Sequence, residues 1–287
     1  MSTALEVVRP GPLSLVQDAG RPGLAALGIT GSGAFDRAAF RAGAGLVGNL
    51  PDGTDAALEV TLGGLQVKAV GGPVRVALTG APIPATVGGL PAPYGQAFVL
   101  APGDLLTLAT ASRGLRGYLS VGGGLEVPAE FGSRSRDTLS GLGPEPLRAG
   151  DLLPVGDLRG WPPAAHEVLE PAFEPLLAVL PGPRADWLAD AGALIGEWEV
   201  SPASDRVGVR LLGPPLAWAA ARIGTELPSE PVVRGGVQVP PNGAPVIFGP
   251  DHPTTGGYPV AAVLTEAAAD RLAQLRPGQR VRLVPAG

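Results

Sequence analysis

Residues 251–259 read Asp-His-Pro-Thr-Thr-Gly-Gly-Tyr-Pro, a dense run of groups that could do chemistry. A carboxylate, an imidazole, two hydroxyls and a phenol stand beside two glycines with bare backbone. Asp251 or His252 could move a proton or orient a reacting group. Thr254, Thr255 and the amides of Gly256 and Gly257 could hold a small polar ligand, with Tyr258 as a wall. As a plain turn the segment would be costly, because each polar side chain needs water or a partner.

Three other polar clusters sit in glycine-rich settings. The first holds Gln17, Asp18 and Arg21 and runs on to Asp36. The second is Glu59 with Thr61, before Gly63-Gly64. The third is Ser133-Arg134-Ser135-Arg136-Asp137. Gln238, followed by Asn242-Gly243, leads into the 251–259 stretch. Arginine with carboxylate forms either a fork for an anionic ligand or an internal ion pair. Asp18 and Arg21 fit both readings, the second as a pair pinning a turn. Ser133–Asp137 is a ligand loop or a polar turn.

Familiar catalytic patterns are absent or misplaced. Gly43, Gly45 and Gly48 satisfy GxGxxG, but they follow a helical pattern rather than a strand, so no dinucleotide site is expected. Lys68 is the only lysine and lies in an apolar strand pattern, so there is no P-loop. No serine has nucleophile-elbow spacing. With 2 histidines and 0 cysteines, thiol chemistry is excluded and no metal centre is expected. The lone methionine, Met1, leaves no Met-Lys-Met segment for covalent biotin. The net charge of −5 and the lack of a basic stripe argue against nucleic acid and anionic membrane. The N-terminus carries Glu6 and Arg9 and no apolar leader, so a cytoplasmic setting is expected.

The elements that must position these groups are mainly strands. The chain has 44 glycines and 33 prolines, yet 45% of its residues are hydrophobic. That combination predicts short strands with frequent turns rather than disorder. A turn-then-strand unit recurs at 100–108, 147–155 and 275–283, each built on Pro-Gly or Ala-Gly. In the last, Val281 and Leu283 alternate with Arg280 and Arg282, as in a half-buried strand. Helices are expected at 34–46 and 265–275, Thr265 capping the second, with a third, short one at 186–191. Pro162, Pro163, Pro171 and Pro175 make 161–177 a semi-rigid connection between lobes 1–160 and 178–287. His166, within it, reads as a solvated surface residue.

Several blocks, in order along nearly the whole chain, carry a resemblance. They are LSLVQDAGRPGLAALGITGSGAFDRAAFRAGAGLVGN (13–49), Glu59 to Gly63, RGYLSVGGGLEVP (116–128), FGSRSRDTLSGLG (131–143), SPASDRVGVRLLG (201–213), SEPVVRGGVQVPPNG (229–243) and DHPTTGGYPVAAVL (251–264). Together they resemble the biotin-dependent carboxyltransferase-like family, which includes the C-type component of 5-oxoprolinase (KipA) and allophanate hydrolase subunit 2-like proteins. The resemblance implies a mainly β protein of two cyclophilin-like β-barrel lobes with a few short helices. It implies ATP-dependent opening of 5-oxoproline to L-glutamate in a complex with an A-type component and a KipI-like, B-type one. ATP is the implied cofactor of that complex, its phosphates met by backbone nests, by Arg134 and Arg136, or by a partner. Gln17, Asp18, Arg21, Asp36, Glu59, Ser133, Arg134 and Gln238 join Thr254–Tyr258 as implied substrate contacts, with Asp251 and His252 catalytic. Two alternatives remain: a non-catalytic KipA-like interaction protein, and the carboxyl-transfer component of a urea carboxylase-like biotin enzyme. Three positions depart from the family pattern. Ala44-Gly45 stands where Ala-Asn is common, Arg136 replaces a threonine, and Val260 stands where a lysine often follows Gly-Gly-Tyr-Pro.

Overall fold

The computed structural model describes residues 2–160, 162–164, 167–170 and 174–287. His166 lies outside them. The chain is mainly β and divides into two compact units. The first comprises 1–21, 32–137 and 141–173; the second comprises 22–31, 138–140 and 174–287. The lobes expected from sequence were continuous, whereas segments 22–31 and 138–140 belong to the second unit.

The first unit has two antiparallel sheets. One is six-stranded, in the order Leu152–Pro154, Ala4–Pro10, Leu65–Val70, Leu105–Leu108, Ala85–Val87, Leu90–Pro91. The other is five-stranded, in the order Leu13–Gln17, Ala57–Thr61, Arg116–Val121, Val74–Gly80, Ala97–Leu100. Alternate side chains of both sheets, such as Leu5, Val7, Val67, Leu58, Val76 and Leu119, form one apolar core, as period-two strands require. Among the described residues these are two sheets rather than one closed ring, unlike the closed barrel of the second unit.

Helix α1 (Arg37–Val47) lies on the five-stranded sheet, with Asp36 as its N-cap, accepting from the Ala39 amide. The capping bond satisfies an amide that the helix itself cannot pair. The glycines of the false GxGxxG serve this helix. A Cβ on Gly43 would lie 2.4 Å from Ser120 Oγ, so the residue must be small. Gly48 closes the helix in the left-handed conformation, φ 79°, where glycine avoids the Cβ penalty. The proline-rich connection is no bare spacer: the Ala164 amide donates to Gly45 O and the Val168 amide to Gly95 O.

The second unit contains a closed seven-stranded barrel. Its order is Leu176–Pro181, Val260–Leu264, Gly236–Gln238, Val246–Phe248, Gly208–Leu212, Gly196–Val200, Arg280–Pro285. The ring closes through a parallel pairing of Leu176–Pro181 with Arg280–Pro285. Leu177, Val179, Val209, Leu211, Val281 and Leu283 are buried at every second position, while Arg280 and Arg282 face out. Helix α2 (Glu266–Leu272) is capped by Thr265, as its sequence predicts. The short helix expected at 186–191 is replaced by two 3-10 turns, Ala185–Trp187 and Ala191–Leu194. Leu188-Ala189 between them is drawn toward Ala217-Trp218, and this pairing overrides local helix propensity. No helix among the described residues is long and apolar enough to cross a membrane.

Candidate functional site

The 251–259 stretch, within the second unit, begins with Asp251, which is fully buried. Its carboxylate takes both arms of the Arg206 fork, Nε to Oδ2 at 2.8 Å and Nη2 to Oδ1 at 3.0 Å. The Thr138 amide and hydroxyl add 2.9 Å and 2.7 Å bonds to Oδ2. A solvent-excluded carboxylate paired in this way is fixed, because separating it from its partners would leave buried polar groups unmatched. Asp251 is therefore an anchor, a role closer to the orienting one expected of it than to that of an acid or base. His252 follows it half-buried, with its ring centroid 5.9 Å from that of Phe248. Its Nδ1 lies 2.6 Å from Pro253 O, a contact in which the ring nitrogen donates to the carbonyl oxygen.

Beyond His252 the chain turns into a two-residue strand. Thr255-Gly256 pairs with Glu230-Pro231, and Thr254 O accepts from the Val232 amide. These backbone contacts fix the course of the loop through Thr254, Thr255 and Gly256. Gln238, buried, donates from Nε2 to Tyr258 O at 3.1 Å, and the Val239 amide donates to Pro259 O. Gln238 is thus a brace for the loop. Val260, where the family often has lysine, opens a barrel strand and accepts the Arg184 amide at its carbonyl.

Gly257 and Tyr258 do reach a cavity of about 910 Å³, toward the upper end of small-molecule sites. Trp218 and Tyr258 supply its aromatic surface, Leu216, Ile223 and Leu227 its apolar one, and Glu226 its carboxylate. Trp218 is held edge-on by Trp187, centroids 5.3 Å apart, and donates from Nε1 to Val239 O at 3.2 Å. Glu230, next to the loop, is gripped by Arg184. That hydrogen bond holds the Glu230 carboxyl below the usual carboxylate range. Sequence reasoning missed Trp218 and Glu226, which come from a segment without recognisable spacing. It also missed Arg206, whose partner lies 45 residues on.

In the first unit the nominated residues build scaffolding. Asp18 does not pair with Arg21. Its carboxylate accepts from the Gly20 amide (2.7 Å), the Ser133 and Ser135 hydroxyls (2.6 Å each) and the Arg134 amide (2.6 Å). The expected turn-pinning ion pair is thus replaced by a longer-range tie, because hydroxyl and amide donors saturate the carboxylate first. Arg21, buried, donates to Glu130 O and Ser135 O. Gln17 donates to Arg136 O at 2.8 Å. Arg134 donates to Val127 O, and Arg136 to Gly141 O, Gly143 O and Glu145. In each guanidinium these bonds engage one nitrogen, Arg134 Nε and Arg136 Nη1. Glu59, buried, accepts from the Phe35 amide (2.9 Å) and the Tyr118 hydroxyl (2.8 Å), and Arg116 lies 3.5 Å away. Tyr118 in turn accepts from the Asp36 amide. Burial first, then the charges of Glu59 and Asp36, push the Tyr118 phenol well above its ordinary range.

The family model described as "Carboxyltransferase domain, subdomain A and B" matches residues 27–285. The C component of the 5-oxoprolinase of Escherichia coli (strain K12) is 37% identical over 286 residues, covering 98% of this chain and 90% of that protein. The urea amidolyase of Saccharomyces cerevisiae is 31% identical over 308 residues, covering 99% of this chain and 17% of the longer protein. The crystal structure of TTHA0988 matches with a TM-score of 0.88 and 36% identity, covering 99% of this chain and 55% of that one. The chain therefore spans about half the length of that solved structure.

Proposed function

The chain belongs to the carboxyltransferase A and B family, and we propose that it works as the C component of an ATP-dependent 5-oxoprolinase. In this reading it acts with components of the A and B types to open 5-oxoproline to L-glutamate. One observation carries the proposal: the likeness to the C component of 5-oxoprolinase runs nearly end to end on both chains. Lactam hydrolysis adds water to the carbonyl carbon, breaks the C–N bond and delivers a proton to the departing nitrogen. Asp251 is locked in its ion pair, so the proton-handling role falls to His252. Histidine is the side chain whose ordinary titration lies near neutrality. ATP, when bound in the complex, would activate the lactam carbonyl. The nominated residues fit its triphosphate poorly: Arg134 Nε and Arg136 Nη1 already serve carbonyls and Glu145, and Asp36 puts a carboxylate at the start of α1. Phosphate binding is therefore assigned to a partner component.

The test is reconstitution with A-type and B-type components, following glutamate release and 5-oxoproline-dependent ATP hydrolysis. Turnover that needs this chain, and that falls at least about 100-fold in His252→Asn with complex assembly intact, supports the reading. Assembly without any turnover refutes it in favour of an interaction protein. A second reading, carboxyl transfer to a neutral amide, is supported by the likeness to the urea amidolyase of Saccharomyces cerevisiae. Transfer from a carboxylated biotin domain to urea, measured with the same preparation, decides between the two.

A further inference from the structure

The 910 Å³ cavity has a charge character that narrows its ligand. Among the described residues its lining contains no cationic side chain, and its only ionisable groups are Glu226 and Tyr258. Glu226 is exposed, and neither its carboxylate nor the Tyr258 hydroxyl bonds any described residue. Such a site disfavours an anion twice, through repulsion by Glu226 and through the lack of a positive donor to replace lost hydration. It favours the opposite. The two aromatic rings offer flat apolar surface and negative faces, which attract cations and N–H edges. A carboxylate accepts two parallel N–H bonds from an amidine-like head.

The occupied neighbours reinforce this. Arg184 and Arg222, the nearby cations, are drawn away into pairs with Glu230 and Asp186, and Arg222 stacks over Trp187, 5.0 Å from its centroid. The Trp187–Trp218 stack fixes Trp218 without using Glu226.

We propose that this cavity binds a flat ring carrying N–H donors and no negative charge, with Glu226 taking the N–H head and Trp218 and Tyr258 flanking the ring. The inference is independent of the oxoprolinase reading. If both hold, the carboxylate of 5-oxoproline is met outside this cavity.

The test is a charge series of equal shape: benzamidine, benzamide and benzoate, titrated by calorimetry and by ligand-observed NMR into the whole chain. The expected order of affinity is benzamidine, then benzamide, then benzoate. Glu226→Gln is expected to weaken benzamidine at least about fivefold and to narrow the gap to benzoate. Tyr258→Leu is expected to weaken benzamidine and benzamide about threefold or more. Both positions are exposed, so unchanged thermal unfolding is the control for folding. Benzoate binding as tightly as benzamidine overturns the proposal. So does an absence of binding by benzamidine and benzamide, or a series that neither substitution alters. Glutamate release by the reconstituted complex, followed in parallel for Glu226→Gln, reads the oxoprolinase proposal separately.

Discussion

Asp251→Ala separates an anchor from an acid more sharply than any other substitution in the chain. The carboxylate is 0% exposed, and its partner Arg206 is 2% exposed. Removing Asp251 leaves a guanidinium with no counter-charge in a solvent-excluded place, and orphans the Thr138 amide and hydroxyl. Breaking one side of a buried pair costs about 3–5 kcal/mol. The energy lost is the desolvation of Arg206 that is no longer compensated, rather than the net worth of the pair. The expected result is a second unit that unfolds roughly 10 °C lower by calorimetry. A separate early transition should appear, since the two units need not melt together. Replacing both partners by leucine should recover part of the loss, giving a coupling of at least about 2 kcal/mol in the double-mutant cycle. Asp251→Ala unfolding within about 2 °C of wild type while turnover disappears would refute the anchor and restore the acid. So would full additivity of the two leucine substitutions.

Two further outcomes follow from the same geometry. Tyr118→Phe strands the Glu59 carboxylate and the Asp36 amide, each bonded to the hydroxyl, and should cost about 1–3 kcal/mol in urea unfolding at pH 7. Because the folded phenol is raised, its stabilising effect is complete below about pH 10, the unfolded value. It is lost as pH rises beyond that, since the unfolded chain ionises first. The variant should therefore show a shallower loss of stability above about pH 10, and an unchanged slope would contradict the assignment. At the loop, adjacent glycines should respond oppositely. A Cβ on Gly256 would meet Gln238 Nε2 at 2.7 Å, whereas one on Gly257 meets only Leu227 O at 3.5 Å. Gly256→Ala should displace the Gln238 brace and lower thermal stability, while Gly257→Ala should leave it within about 0.5 kcal/mol of wild type and weaken benzamidine in the cavity. Equal stability of the two variants would refute this placement of the loop.

Much of the fold was legible because its signals are local. Pro-Gly turns, the Val281/Leu283 alternation and the Thr265 cap each lie within a few residues, and each reports a conformation the backbone adopts there. The site was less legible because its chemistry is settled by pairing at long range. Asp251 looks like a reactive group in sequence, and only the folded chain shows that Arg206, 45 residues away, consumes it. Asp18 and Arg21, three residues apart, looked like a pair, yet both turn to residues 130–135, more than a hundred positions away. Polar density in a sequence therefore marks where a fold invests hydrogen bonds, and a buried polar group with satisfied partners serves as architecture. The groups left over are the better candidates for chemistry, and in the second unit these are the plain ones. Glu226, in an irregular segment with no motif, faces a cavity and bonds no described residue. Asp251, in the most distinctive stretch of the chain, has no bonding capacity to spare for a ligand.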